Sequence, residues 1–223
     1  SATLVIWLTI AFNWLFLGPV YTKTAARDGF FATIFLANSH FEKSSLDYFN
    51  TTTNSSMFSH FWSLSIEEQF YLFWPLIVIG LLILTPSLRM ALLPIGILAV
   101  ASLAYALNSL GTSETPLFFS SLARFWELLA GGFLAFIVTR FSLPHLHTLV
   151  FLTFILALAI FTEPTMYWPN LLTLAIVIAT AGVLVPEANA GHFDLLKTRI
   201  LVFLGDISYV LYLWHWPVLI IVK

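Results

Sequence analysis

Seven predominantly apolar stretches, near residues 3–20, 62–84, 90–107, 122–139, 147–162, 170–186 and 200–222, make up most of this 223-residue chain. A helix needs about 20 such residues to cross a bilayer, whereas the apolar run of a soluble core helix is shorter. Composition closes the soluble alternative, because 60% of the residues are hydrophobic and 9% charged, against roughly 25% charged in ordinary soluble domains. A soluble chain this short keeps much of its surface in water, and eight Trp with 22 Phe have no core large enough to hold them. Disorder, a secreted disulfide scaffold and a basic nucleic-acid binder are excluded on the same grounds. With no cysteine there is no disulfide, no thiolate nucleophile and no Cys-type metal site.

In hydrocarbon every backbone polar group must be paired within the segment, and runs of this length read as helices, not as the alternating strands of a barrel. The expected fold is therefore all-α, a polytopic transmembrane helix bundle of about seven spans. Residues 21–61 form a polar connection whose apolar piece, 29–37, is too short to span and is expected as an interfacial or re-entrant helix. Arg89, Arg140 and the pair Lys197 and Arg199 fall on every second connection, while those around 108–121 and 163–169 carry Glu114 and Glu163 and no Lys or Arg. The loops at 85–89, 140–146 and 187–199 are thus expected on the cytoplasmic side. Lys23, Arg27 and Lys43 then lie outside, against the same tendency. The sequence enters one apolar run directly after Ser1 and stops at Lys223 directly after another, and we expect an internal piece of a larger membrane protein.

An ionisable side chain at the bilayer centre costs about 2.5–3.5 kcal/mol, so those inside spans are candidates for function. Ser63, Glu67 and Tyr71 are spaced i, i+4, i+8 and share a helical face that suits a polar cavity. The same segment, Ser65-Ile66-Glu67-Glu68, also reads as a capping box, with Ser65 and Glu68 structural and Glu67 favouring the positive end of a helix. Arg124 and Glu127 are three apart. They form either an intrahelical ion pair or, through the planar donor fork of Arg, a seat for an anionic ligand group. Gly131 and Gly132 behind them are expected to let another helix approach closely. Ser208, Tyr212 and His215 again share one face, with Asp206 and Tyr209 on another. A hydroxyl, a phenol and an imidazole suit sugar binding or proton relay, and His215 between two Trp equally suits an interfacial aromatic belt. His40 and His60, flanked by polar residues, are expected to be solvated, and His145 and His147 lack carboxylates at metal-ligand spacing. Composition and spacing leave enzyme and transporter both open.

The stretch WSLSIEEQFYLFWPL, residues 62–76, resembles the WSL-x-x-E-x-QFYL-x-WP signature of the acyltransferase-3 family of bacterial membrane O-acyltransferases. Two further blocks agree in order, LARFWELLAGGFLA with an R-x-WEL-x-x-G block and LGDISYVLYLWHWPVL with a GxxSYxLYLWHWP block. FATIFLANSHF with Tyr48 and Phe49 is similar in position to a weaker Asn-plus-YF element. The resemblance covers about residues 30–220. It implies a multi-pass protein of the bacterial cytoplasmic (inner) membrane that moves an acyl group, usually acetyl, from acyl-CoA (acetyl-CoA) as co-substrate to a hydroxyl of a cell-surface or lipid-linked sugar. No resident cofactor or metal and no nucleic-acid partner is implied. The lipid bilayer, acyl-CoA and a glycan acceptor are the expected partners. The family's early segment, with an Arg, a downstream His regarded as general base and an Arg-rich cytoplasmic motif, has no counterpart in this sequence, nor has a final span beyond Lys223, and these residues alone are expected to be inactive. The resemblance assigns catalysis to Glu67, Tyr71 and His215 and substrate contact to Ser63, Arg124, Glu127, Ser208, Tyr209 and Tyr212. The rival reading is a polytopic transporter or flippase of a glycan or small anion. Against it, the sequence has neither an inverted repeat nor paired Gly/Pro-broken helices.

Overall fold

The computed structural model describes residues 2–43, 56–85, 88–108, 117–140, 148–162, 169–185 and 197–222. Among them every regular element is helical and none is a strand. The chain divides into two compact units, residues 1–68 with 191–223, and residues 69–190. Tyr48, Phe49, Glu114, Glu163, His145 and His147 lie outside the described residues.

In the first unit, α1 (Ala2–Phe12) widens at Asn13–Leu17 into an i→i+5 turn, in which Gly18 N–H donates to the Asn13 carbonyl at 3.1 Å. The expected span 3–20 ends here for a local reason. Gly18 adopts φ +90°, a region that only Gly enters without cost. Pro19, with no N–H to lose, then opens α2 (Pro19–Thr33). Asn13 is buried in this apolar helix, and its Nδ2 donates to Thr9 O at 2.7 Å and to Met57 Sδ at 3.2 Å. The expected interfacial helix over 29–37 is not one element. α2 ends at Thr33, Phe35 turns through φ 54°, and α3 (Ala37–Lys43) follows.

α2 packs on α1 through Gly29, where a Cβ would stand 2.9 Å from Ile6 and 3.1 Å from Ile10. At the preceding residue Asp28, 2% exposed, lies with its Oδ1 2.9 Å from His40 Nε2, and the His40 ring stacks on Phe31 at 4.2 Å. A carboxylate only accepts, so the imidazole donates. His40 is thus a tie between α2 and α3, not the solvated side chain expected of its polar flanks. Replacing Asp28 by Ala leaves that nitrogen without its acceptor and is expected to lower stability by about 1–3 kcal/mol. Thermal unfolding of the purified protein in detergent reads this as a lower midpoint.

α4 (Phe61–Leu84) starts in the first unit and continues into the second. Its start is set by the turn before it, where Phe61 N–H donates to Phe58 O at 2.9 Å and Trp62 N–H to Ser59 O at 3.2 Å. The capping box at Ser65 and Glu68 is therefore not a helix start, because the helix is already a full turn old. Ser65, fully buried, instead accepts the N–H of Ala37 at 3.2 Å, one of the unpaired donors that open α3.

The second unit holds the rest of α4, then α5 (Leu88–Asn108), α6 (Ser121–Arg140), α7 (Thr148–Phe161) and α8 (Leu171–Leu184). Here α5 packs along α6 and α7 along α8. Phe70, Ile95 and Leu129 form a core with Trp74, Phe125 and Phe133 around it. Ser102 Oγ donates to Leu122 O and accepts the N–H of Trp126 at 2.9 Å, which joins α5 to the first turns of α6. Asn170 caps α8, its Oδ1 accepting Thr173 N–H at 2.9 Å. The last helix, α9 (Arg199–Val222), belongs to the first unit and meets α1.

By length and composition Phe61–Leu84, Ser121–Val138 and Arg199–Val222 can cross a membrane, and Ala2–Leu17, Leu92–Asn108, Thr148–Phe161 and Leu171–Leu184 are shorter apolar helices. Leu84, Phe161 and Leu171 are 80% or more exposed. Apolar surface on this scale is unfavourable in water and suited to lipid, so the chain is a membrane protein.

Candidate functional site

The turn before α4 and the middle of α9 bring together four side chains, His60, Ser63, Tyr212 and His215. Tyr212 Oη donates to the backbone carbonyl of His60 at 2.6 Å and is in short contact with Ser63 Oγ. Ser63 Oγ also reaches the His60 carbonyl, at 3.2 Å. Two hydroxyls from helices 149 residues apart in sequence thus converge on one carbonyl. Trp216, one turn further along α9, donates from Nε1 to Ser56 O at 3.0 Å and fastens the same turn from its other end.

The His60 ring is 2% exposed. It lies edge-on to Tyr212, Phe61 and His215, with centroid separations of 5.5, 4.7 and 5.3 Å. Neither of its nitrogens makes a hydrogen bond of normal geometry among the described residues. Burial, then the neighbouring His215, push its pKa down to about 3, with the Leu213 backbone pulling more weakly the other way. The ring is accordingly neutral at physiological pH, with one donor and one acceptor. The expectation of a solvated His60 is overturned because α9 covers it. A spacing signal was present, since His60, Ser63 and Glu67 fall at i, i+3, i+7.

Around this cluster the expected residues divide. His215 Nδ1 lies 2.5 Å from Tyr212 O, one turn back on its own helix, and its ring is 5.3 Å from that of Tyr212. Ser208 is not gathered in. It is exposed, and its Oγ donates to Gly205 O at 2.7 Å, the local backbone bond open to any helical Ser. Asp206 and Tyr209 are also on exposed positions of α9. Glu67 is exposed on α4, one turn beyond Ser63 on the same face, and Glu68 is half-buried. Tyr71 is 58% exposed and meets Phe70 edge-on.

In the second unit Arg124 Nη1 donates to Glu127 Oε1 at 3.1 Å, and its Nε donates to Phe118 O at 3.2 Å. Its guanidinium carbon sits 4.5 Å over the Phe118 ring. Of the two readings open for Arg124, the structure shows the ion pair. Beside it Ser121 Oγ donates to Gln69 Oε1 at 2.6 Å, a link between α6 and α4 that no local pattern signals. Gly132 lies against Trp74, while a Cβ on Gly131 would meet nothing within 4 Å. Gly132 thus faces a side chain of α4, and Gly131, about 100° away on the helix, faces none. Among the described residues no group of three or more His, Asp or Glu side chains is arranged to hold a metal.

Chemically, the His60 cluster offers a neutral imidazole, a phenol, a hydroxyl and a second imidazole within one turn of a carboxylate, a set able to bind hydroxyl groups and move protons. The chain matches the family described as "Acyltransferase domain" over residues 2–223. It is 31% identical, over 99% of its length, to the "Putative peptidoglycan O-acetyltransferase YrhL" of Bacillus subtilis, covering 37% of that protein. It is 30% identical, over 92% of its length, to the peptidoglycan O-acetyltransferase OatA of Listeria monocytogenes, covering 36% of that protein. The chain thus spans a little over a third of the length of these relatives. No solved structure matches it.

Proposed function

The chain belongs to the acyltransferase family that it matches over residues 2–223, and from that premise we propose that the intact gene product is a membrane O-acetyltransferase acting on a cell-surface glycan, peptidoglycan by the names of its relatives. The carrying observation is that family match, supported by a membrane-type helical chain that gathers hydroxyl, phenol and imidazole groups.

The donor we propose is acyl-CoA, acetyl-CoA in the simplest case, reached from the cytoplasmic side of a multi-pass protein in the bacterial inner membrane. The hydroxyl oxygen of the sugar bonds to the thioester carbonyl carbon, the carbon–sulfur bond breaks, and the hydroxyl proton passes through a base to the departing sulfur. Glu67 orients the base or the hydroxyl. Tyr212 and His215 position the acceptor on one side of the cluster, with Tyr71, Ser208 and Tyr209 on adjoining turns of their helices. Within the second unit Arg124, ion-paired with Glu127, is the residue we assign to the donor.

The test uses membranes carrying the intact gene product, supplied with acetyl-labelled acetyl-CoA and a soluble peptidoglycan glycan oligomer. Alkali-labile label on the glycan, absent from membranes lacking the protein, is the expected result. Glycan crossing the membrane with no ester formed would replace this reading with the transporter.

A further inference from the structure

We infer that the turn Ser59–His60, covered by α9, is a seat for the hydroxyl groups of the sugar acceptor. This goes deeper into the acyl-transfer reading and rests on it for the identity of the ligand.

The first observation is the pair of unpartnered groups. Both ring nitrogens of His60 and the hydroxyl of its neighbour Ser59 are buried without a hydrogen bond of normal geometry, the Leu213 backbone acting on the imidazole only weakly. A buried donor or acceptor left unmade is destabilising, and three such atoms occur on two consecutive residues.

The second observation is what the surrounding groups do instead. Tyr212 Oη and Ser63 Oγ stand close to His60, yet both are spent on its backbone carbonyl and not on its ring. Buried polar groups in folded proteins are in the great majority hydrogen-bonded. Here the hydroxyls fix the main chain of the turn and leave the imidazole and the Ser59 hydroxyl for something else. Around them Phe58, Phe61 and Trp216 hold the turn in place, Phe58 and Phe61 fully buried and Trp216 by its bond to Ser56 O.

The chemistry of the missing partner follows from the donors and acceptors on offer. A neutral imidazole gives one donor and one acceptor, and a Ser hydroxyl gives both. No charge is presented, so an anionic group is not favoured. A polyol, each of whose hydroxyls donates and accepts, matches the set, and the flanking aromatic rings suit the apolar faces of a sugar. Neighbouring titratable groups are His215, beside the ring, and Glu67, two turns along α4.

The experiment measures equilibrium binding of a soluble peptidoglycan glycan oligomer to the intact protein in detergent, with Ser59→Ala, His60→Asn and His60→Gln variants. Removing an unpaired buried hydroxyl is neutral or favourable to folding, so Ser59→Ala should unfold no earlier than the wild type while its Kd rises threefold or more. Asn and Gln each keep an amide near only one of the two ring-nitrogen positions, and at least one of them should raise Kd tenfold or more. Kd values within threefold of wild type in all variants that insert into the membrane overturn the seat, and Ser59→Ala alone decides if the His60 variants do not insert. Because binding and not turnover is read, glycan binding without acetyl transfer would sink the proposed function and keep the seat. Acetyl transfer with unaltered Kd would do the reverse.

Discussion

Membranes carrying the intact gene product with Glu67→Gln are expected to transfer at least ~100-fold less acetyl to glycan than wild type, with the same amount of inserted protein. Misplacing a reacting group by about 1 Å can cost ~10²-fold, and Gln removes the charge through which Glu67 orients the base or the hydroxyl while keeping the size of the side chain. Glu67 extends the face of α4 that starts at His60 and Ser63, where Tyr212 of α9 arrives. Neither a capping role nor a packing role explains it. The helix begins at Phe61, so Glu67 is beyond the first turn and outside the region where a carboxylate serves the helix dipole, and its own side chain is exposed. Removing a carboxylate from an apolar span should make insertion easier, not harder. Quantifying ester on the glycan beside immunodetected protein in washed membranes separates the two outcomes. Transfer within threefold of wild type would remove Glu67 from the reaction.

Long-range contacts mark where the sequence ceased to be legible. The apolar runs at 62–84, 122–139 and 200–222 announce the helices Phe61–Leu84, Ser121–Arg140 and Arg199–Val222 because hydrocarbon leaves the backbone no other way to pair. The pairs Arg124 with Glu127 and Tyr212 with His215 are legible for the same reason, being three residues apart on one helix. Ser65-Ile66-Glu67-Glu68 misleads because a capping motif is local, whereas the start of α4 is set upstream by the Phe58 turn. Polar neighbours point His40 and His60 toward solvent, yet one is claimed by Asp28, 12 residues earlier, and the other is covered by a helix some 150 residues later. Likewise α2 carries Lys23, Arg27 and Asp28, and its polar composition hides a helix that is held in place by Gly29 against Ile6. Periodicity finds elements and intrahelical pairs; which faces meet is decided by packing that a single sequence does not display.

The two adjacent glycines of α6 provide the sharpest test of the packing in the second unit. Gly131→Ala is expected to stabilise the protein by about 0.5–1 kcal/mol, the gain from replacing a helical glycine, since its new methyl would meet nothing within 4 Å. Gly132→Ala receives the same helical gain but places a Cβ 2.7 Å from one Trp74 ring carbon and 2.8 Å from another. Trp74 cannot swing aside at little cost. Its ring is stacked on Phe70 at 5.3 Å, and Phe70 is in turn held edge-on by Phe125 at 5.7 Å, with all three in the core around Ile95 and Leu129. Overpacking of this kind costs about 1–3 kcal/mol, so Gly132→Ala should be net destabilising, and Gly132→Leu more so. The difference between the two Ala variants cancels helix propensity and reads the clash alone. Unfolding midpoints of both in the same detergent should move in opposite directions. A shift upward in both would mean that α6 and Trp74 of α4 do not meet at Gly132.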